Sequence, residues 1–480
     1  MNYGMIIYIL GYIMKVESAF MLIPMIISAY YDESSVVAFI ITTIILLVIG
    51  IACTLKKPKN KVIYAKEGFI IVALAWILMS IFGALPFYLS KTIPSFVDCF
   101  FEVVSGFTTT GATILKDIEI LPKGILFWRS FTHWIGGMGV LVFVLAIAPL
   151  AGGRSIHIMR AEVPGPTMGK LVPKLKHTAI ILYGIYIVLT VVLIVLLVLG
   201  GMPLFDSFIH AFGTAGTGGF SNKNISVGFY NSAYFEWVIT VFMILFGINF
   251  NIYYFLLIKN FRKVIKNEEL ICYLGVVLIS IALITLNIAP LYENISESFR
   301  HSSFQVASII TTTGYATVDF NYWPEFSKVI LILLMFFGAS AGSTGGGLKI
   351  ARIILLFKSG AREIKRMIHP RNVSSIKLDG KIIDNETING VNTYFTIYMM
   401  IIFLSIVILS LDNFSFATNA TAVISCMGNV GPGIDVVGPM GNYSGFSAFS
   451  KIVLSLNMLI GRLEIYPMLV LMYPSAWKKI

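Results

Sequence analysis

Four short stretches rich in threonine and glycine carry the most evident chemistry in this sequence. They are Thr108-Thr109-Thr110-Gly111, Gly216-Thr217-Gly218-Gly219, Thr311-Thr312-Thr313-Gly314 and Gly428-Asn429-Val430-Gly431. What such small residues offer is unhindered main chain, whose carbonyl oxygens can replace the water shell of a cation. Each stretch ends a moderately apolar piece: Phe96–Thr110, Leu204–Thr217, Ser298–Thr313 and Phe414–Val430. A helix of that length rises only ~20 Å against ~30 Å of hydrocarbon, so each piece enters the membrane and returns. The spacings Gly111 to Gly219, Gly219 to Gly314 and Gly314 to Gly431 are 108, 95 and 117 residues. A period near 100 residues marks an internal repeat of span, half-helix, glycine stretch and span. Non-helical backbone survives at membrane depth only when protein buries it or when it lines water. Half-helices aiming their partially negative C-terminal ends at one axis favour a cation there. A lone TTTG signals only close helix packing; four at matched positions point to an ion path.

A second constellation lies at Phe336–Lys349, FFGASAGSTGGGLK, whose five glycines cannot hold a regular helix. A phosphate-binding loop is excluded, because Leu348 separates Gly347 from Lys349 and no strand precedes the run. The favoured reading is a helix broken at mid-membrane, with Gly342, Gly345, Gly346 and Gly347 facing the aqueous path just inside the four stretches; simple close helix packing, the alternative, would need fewer glycines and no continuous run. Arg462, in LIGRLEIYPMLVL, is costly at this depth unless paired or hydrated. Glu464, two residues on, faces another side of a helix, so carbonyls of the glycine loop are the better partners. Snorkelling is the alternative, over about 11 residues or ~16 Å to the cytoplasmic end.

These groups need a membrane scaffold to position them. Of 480 residues, 57% are hydrophobic and 12% charged, against about 45–50% and 25% in soluble domains. Ten apolar stretches are long enough to span: 5–30, 36–54, 68–90, 128–150, 178–200, 233–258, 271–290, 325–357, 391–411 and 446–473. Lys15 and Glu17 interrupt the first, and no removable signal peptide is expected. Segments 55–67, 151–177, 259–269, 351–390 and 478–480 hold 24 of the 35 Lys and Arg residues. That asymmetry places both termini in the cytoplasm and accounts for most of the net charge of +11 without nucleic acid. The expected divisions are a two-helix unit over 1–66 and repeats over 67–165, 166–269, 270–390 (with the loop 336–349) and 391–480. The four cysteines and six histidines are scattered, so neither a metal site nor a disulfide framework is expected. Asp98, Glu102 and Asp206 either attract cations or cap helix N-termini. No nucleophile–base arrangement suggests an enzyme.

The segments SGFTTTGATIL, WIGGMGVLVFVLAIAPL, RAEVPGPT, TGGFS, TTTGYAT, AGSTGGGLKIARI, NVGPG and GRLE resemble the Trk/Ktr/HKT superfamily of potassium transporters, most closely its bacterial TrkH branch. The resemblance runs almost end to end, and the two helices before the first repeat resemble TrkH rather than KtrB. It implies an all-α integral membrane protein with four M1–P–M2 repeats around one pore, and a homodimer of such chains in a bacterial inner membrane. It also implies a cytosolic RCK-type, TrkA-like partner that binds the regulatory nucleotide; no covalent cofactor is expected on this chain. The K⁺ filter would comprise Thr109, Thr110, Gly111, Thr217, Gly218, Gly219, Thr311, Thr312, Thr313, Gly314, Gly428, Asn429, Val430 and Gly431. Family members with glycine at all four key positions prefer K⁺, whereas a first-loop serine goes with Na⁺ in plant relatives. In the second loop Gly218 competes with Gly219, which is favoured because an apolar residue follows it. The fourth loop lacks threonines. The resemblance makes Phe336–Lys349 an intramembrane gate and places Arg462 at the constriction below the filter.

Nine basic residues fall between Lys349 and Lys381, and Arg362, Lys365 and Arg366 among them are the expected docking surface for the cytosolic partner. Topogenic charge or contact with anionic lipid is the plainer explanation. The expected function is channel-like K⁺ uptake, with a proton- or sodium-coupled transporter as the alternative. Repeats of one topology and few intramembrane acids favour the channel.

Overall fold

The computed structural model describes residues 1–60, 63–139, 175–371 and 375–478. The chain is an all-α membrane protein; its short hairpin pairs Lys377–Leu378 with Lys381–Ile382 through a left-handed Asp379–Gly380 turn. Six described helices are long and apolar enough to cross a membrane: Tyr3–Tyr30, Ser35–Thr54, Ala65–Leu89, Ile180–Leu199, Glu268–Leu291 and Asn385–Asp412. They are the N-terminal pair and the first span of each expected repeat. The pair is held by close backbone approach, since a Cβ on Gly50 would meet the Gly11 carbonyl at 2.9 Å. Lys15 donates to Thr54 Oγ1 and lies 5.0 Å from the Tyr12 ring centroid, so the charge does not break the helix.

Three second spans are interrupted within the described residues, whereas the sequence marked only 325–357. Ala233–Phe246 turns by 89° into Phe250–Leu257. Glu325–Phe337 resumes at Ile350–Ile368, and Ala448–Arg462 resumes at Tyr466–Met472. Lys123–Gly137 ends at Met138, and the rest of the expected span 128–150 lies outside the described residues. The two unforeseen breaks have local causes. Asn249 Oδ1 accepts from Asn251 N at 3.0 Å and starts a new helix. Glu464 and Ile465 adopt φ of 56° and 66° just before Pro467.

The four re-entrant helices are Phe96–Phe107, Leu204–Gly216, Ile295–Ile310 and Phe416–Gly428. Ser95 and Ser415 cap the first and fourth by accepting from Asp98 N and Thr418 N. The second packs on Lys123–Gly137, the third on Ala233–Phe246, the fourth on Glu325–Phe337 and the first on Ala448–Arg462. Each half-helix thus leans on the second span of the preceding repeat, and the sequence of contacts closes on itself.

Candidate functional site

All four half-helices end in the same backbone motif. Thr109, Thr217, Thr312 and Asn429, two residues before each key glycine, are left-handed with φ of 54°, 56°, 59° and 56°. The next residue then donates to the carbonyl five positions back: Thr110 N to Ser105 O, Gly218 N to Gly213 O, Thr313 N to Ser308 O and Val430 N to Ser425 O, at 2.8–2.9 Å. This is the Schellman C-cap, with threonine or asparagine where glycine is usual. A β-branched residue at positive φ is strained, and such strain gathers at functional sites. Gly111, Gly219, Gly314 and Gly431 follow with φ of 81°, 73°, 80° and 102°. Gly218 is not left-handed, so Gly219 occupies the position equivalent to the other three. The fourth loop, irregular in sequence, has the same backbone as the rest.

The loops form a closed ring. A Cβ on Gly111 would collide with the Gly218 carbonyl oxygen, one on Gly219 with that of Thr313, and one on Gly314 with that of Val430. A Cβ on Gly431 would stand 2.6 Å from the Thr110 carbonyl oxygen. Every glycine therefore admits the carbonyl of the next loop, in the order one, two, three, four, one. An outer cavity of about 120 Å³ is lined by all four glycines. In loops one and three, Thr108 and Thr110 share a hydrogen bond of 2.8 Å, as do Thr311 and Thr313.

Beneath the ring lies the glycine-rich segment. Gly346 N donates to Thr312 Oγ1 at 2.7 Å, and a Cβ on Gly345 would meet the Thr311 carbonyl at 2.9 Å. Gly338, Gly342 and Gly347 are left-handed, with φ of 67°, 73° and 75°. The segment is held by the other second spans at their breaks. Ser340 N donates to Gly247 O at 3.0 Å, and Phe250 N to Gly342 O at 3.1 Å. Arg462 donates at 2.7 Å to Thr344 O and at 2.7 Å to Gly136 O, joining the breaks of the third and fourth second spans to the helix Lys123–Gly137. The expected carbonyl partners are thus present, and Glu464 turns instead to Arg352.

The sequence assigned two cations to the wrong place. Lys349 is buried and donates to the Gly345 carbonyl, closing the glycine run on itself. Arg352 is buried against Glu464, with its guanidinium 4.2 Å from the Tyr394 ring. Neither belongs to a cytoplasmic surface. Lys358 is taken by Glu268, and it also donates to Lys377 O at 2.7 Å. Lys365 and Arg366 are exposed, while Arg362 donates to Asn385 Oδ1 at 3.0 Å. Glu269, unremarked in the sequence, accepts from Ala341 N at 2.5 Å and fixes the start of the glycine segment. For Lys349 and Arg352 the available signal was a charge inside the expected span 325–357; Glu269, just outside the expected span 271–290, carried none.

The acids near the half-helices act as fasteners. Asp98 binds Lys451 at 2.6 Å, Asp206 accepts from Asn222 at 2.6 Å and Tyr230 at 2.7 Å, and Glu102 is buried against Arg129. His210 bonds Asp206 O at 2.8 Å and Ser221 Oγ at 3.1 Å. On the outer surface Asp435 accepts from Ser415 Oγ and Thr418 Oγ1, and these two donors, Ser415 first, hold its carboxyl below the usual aspartate range.

A family model described as TrkH, cation transport protein, matches residues 35–479. The chain belongs to the TrkH family. It is 37% identical over 489 residues to the Trk system potassium uptake protein TrkH of Salmonella typhimurium, covering 100% of both chains. It is 34% identical over 474 residues to the Trk system potassium uptake protein TrkG of Escherichia coli, covering 98% of this chain and 97% of that one. The crystal structure of the potassium transporter TrkH from Vibrio parahaemolyticus superposes with a TM-score of 0.89 at 33% identity over 100% of both chains. The TrkH-family frame therefore extends over the N-terminal helices, the four half-helices and the glycine segment together.

Proposed function

We propose that this protein takes up K⁺ across a bacterial cell membrane through one pore per chain, lined at its narrowest by main-chain carbonyls of the four loops. The reading is carried by the closed ring in which each glycine admits the carbonyl of the next loop. Relatives named as potassium uptake proteins over the full length supply the ion. The filter is Thr109–Gly111, Thr217–Gly219, Thr311–Gly314 and Gly428–Gly431, and its carbonyls substitute for hydration water. Gly342, Gly345, Gly346 and Gly347 form the gate, and Arg462 pins it while presenting positive charge to the ion path.

Regulation would come from outside the membrane. A cytosolic RCK-type subunit that binds nucleotide docks near Arg362, Lys365 and Arg366, on the helix that continues directly from the gate. Docking shifts the gate only if the subunit binds its open and closed forms with different affinity. The chain works as a homodimer in lipid, with both termini in the cytoplasm. In proteoliposomes an outward or inward K⁺ gradient alone should drive flux, unchanged by an imposed pH gradient. Flux that requires the pH gradient would replace the channel with a coupled transporter, and no K⁺ flux in either condition would remove the function altogether.

A further inference from the structure

Each half-helix carries a polar side chain nine residues before its loop glycine, at Glu102, His210 and Gln305; the fourth has Ala422 there and uses the neighbouring Thr421. All of them reach forward to the chain just beyond the glycine. Glu102 accepts from Thr113 Oγ1 at 2.9 and 3.1 Å and from Ile114 N at 3.0 Å. His210 Nε2 bonds Ser221 Oγ at 3.1 Å, Gln305 Nε2 donates to Val318 O at 3.4 Å, and Thr421 Oγ1 accepts from Ile434 N at 3.0 Å. These ties close each loop on its own helix. The first differs from the others because its anchor is an acid that also bonds an arginine and so passes the connection on.

Arg129, on the second span of repeat one, donates through Nε to Glu102 Oε1 at 2.6 Å. Its Nη1 donates to the Ser221 carbonyl of loop two at 2.9 Å, and its guanidinium lies 3.5 Å from the centroid of the Phe220 ring. Phe220 directly follows Gly219, and Ser221 is also the residue that His210 holds. The pair is shielded, with side-chain exposure of 2% and 0%. We propose that Glu102 and Arg129 are positioning residues that lock loops one and two in register and thereby set cation discrimination. This inference rests on the filter reading above. A planar guanidinium can bond a carboxylate on one edge and a carbonyl on another while stacking on an aromatic ring, and a lysine ammonium cannot do all three. The pair also keeps net charge off the outer mouth, since Arg129 lines the outer cavity and Glu102 neutralises it from behind.

The test compares K⁺ and Na⁺ flux in proteoliposomes for Glu102→Gln, Arg129→Lys and, as a reference, Gly314→Ser, at matched protein per vesicle. Arg129→Lys keeps the charge but loses the bridge to loop two, so a role in charge balance alone predicts wild-type selectivity for it. The expected result is a roughly tenfold loss of K⁺ preference in both Glu102→Gln and Arg129→Lys, since a shared network responds as a unit. If both keep wild-type preference while Gly314→Ser loses it, the positioning role is overturned and the filter stands. If Gly314→Ser also keeps it, the filter reading itself fails. Should either pair variant fail to reach the membrane, Thr113→Val removes only the hydroxyl that Glu102 holds, and unchanged selectivity there overturns the proposal.

Discussion

Asn429 donates from Nδ2 to Thr110 Oγ1 at 3.0 Å, joining the last loop to the first across 319 residues. The same amide also donates to Met458 O at 2.9 Å, so one side chain ties both loops to the final second span. Asparagine is the residue, after glycine, that best tolerates the left-handed backbone required here. Its amide then supplies the joint that the threonines of the other loops do not make.

The ring sets the first expectation. Gly111→Ser would drive a side chain into the Gly218 carbonyl, and Gly314→Ser into that of Val430, at backbone angles that disfavour any side chain. Both should lower the K⁺/Na⁺ ratio by about tenfold, ~1.4 kcal/mol of discrimination, with a smaller effect on the amount of protein in the membrane. Bi-ionic flux on purified, reconstituted protein measures it, and wild-type ratios in both variants would refute the ring as the selective element.

The gate sets the second. Removing Gly345–Gly347 takes away the segment that packs under Thr311 and Thr312, so basal K⁺ flux should rise with selectivity intact. Arg462→Ala should act in the same direction, since it frees both Thr344 O and Gly136 O. Arg462→Lys should fall between wild type and Arg462→Ala, because one ammonium has no fork with which to span two carbonyls. Flux at or below wild type in all three variants would mean that the segment does not obstruct the path.

The cytoplasmic helix sets the third. Charge reversal at Arg362, Lys365 and Arg366 should weaken capture of a nucleotide-binding subunit and make flux insensitive to nucleotide, leaving selectivity alone. Reversal at Arg352 would instead break a buried pair with Glu464 and should disturb the fold. A pull-down alongside the flux assay separates these outcomes, and normal capture with a normal nucleotide response would move the docking surface elsewhere.

The fourth concerns stability. Both Glu17 carboxyl oxygens are buried without a hydrogen-bond partner among the described residues, beside Trp76 and Phe107. Replacing such a group with an apolar side chain of similar size removes a desolvation cost of about 1–3 kcal/mol. Glu17→Met should raise the thermal unfolding midpoint in detergent and leave selectivity as it was; a lowered midpoint would show that the carboxyl has a stabilising role.

Much of this arrangement is legible in the residues because backbone demands are written in glycine. Only glycine accommodates both the left-handed angle and the approaching carbonyl at Gly111, Gly219, Gly314 and Gly431, so the four-fold pattern survives in the sequence. The choice of Gly219 over Gly218 rested in the sequence on the apolar residue after it, and the left-handed angle falls at Gly219. The breaks after Phe246 and Arg462 were hidden because one asparagine and one proline interrupt otherwise continuous apolar runs, and tertiary contacts supply the rest. Glu102 and Arg129 lie 27 residues apart on different elements, beyond any periodicity argument. Lys349 was misplaced for a simpler reason: it adjoins a basic run in sequence but turns back into the membrane in space.

Closure of the ring within one polypeptide has a genetic consequence. Where separate subunits share a pore, a single defective copy poisons every assembly it joins. Here all four quadrants descend from one reading frame, so on the proposed reading of one pore per chain a defective allele would subtract its own pores and spare those of its neighbours. The same arrangement lets each quadrant differ from the rest, and Asn429 and Val430 stand where the other loops carry threonine or glycine.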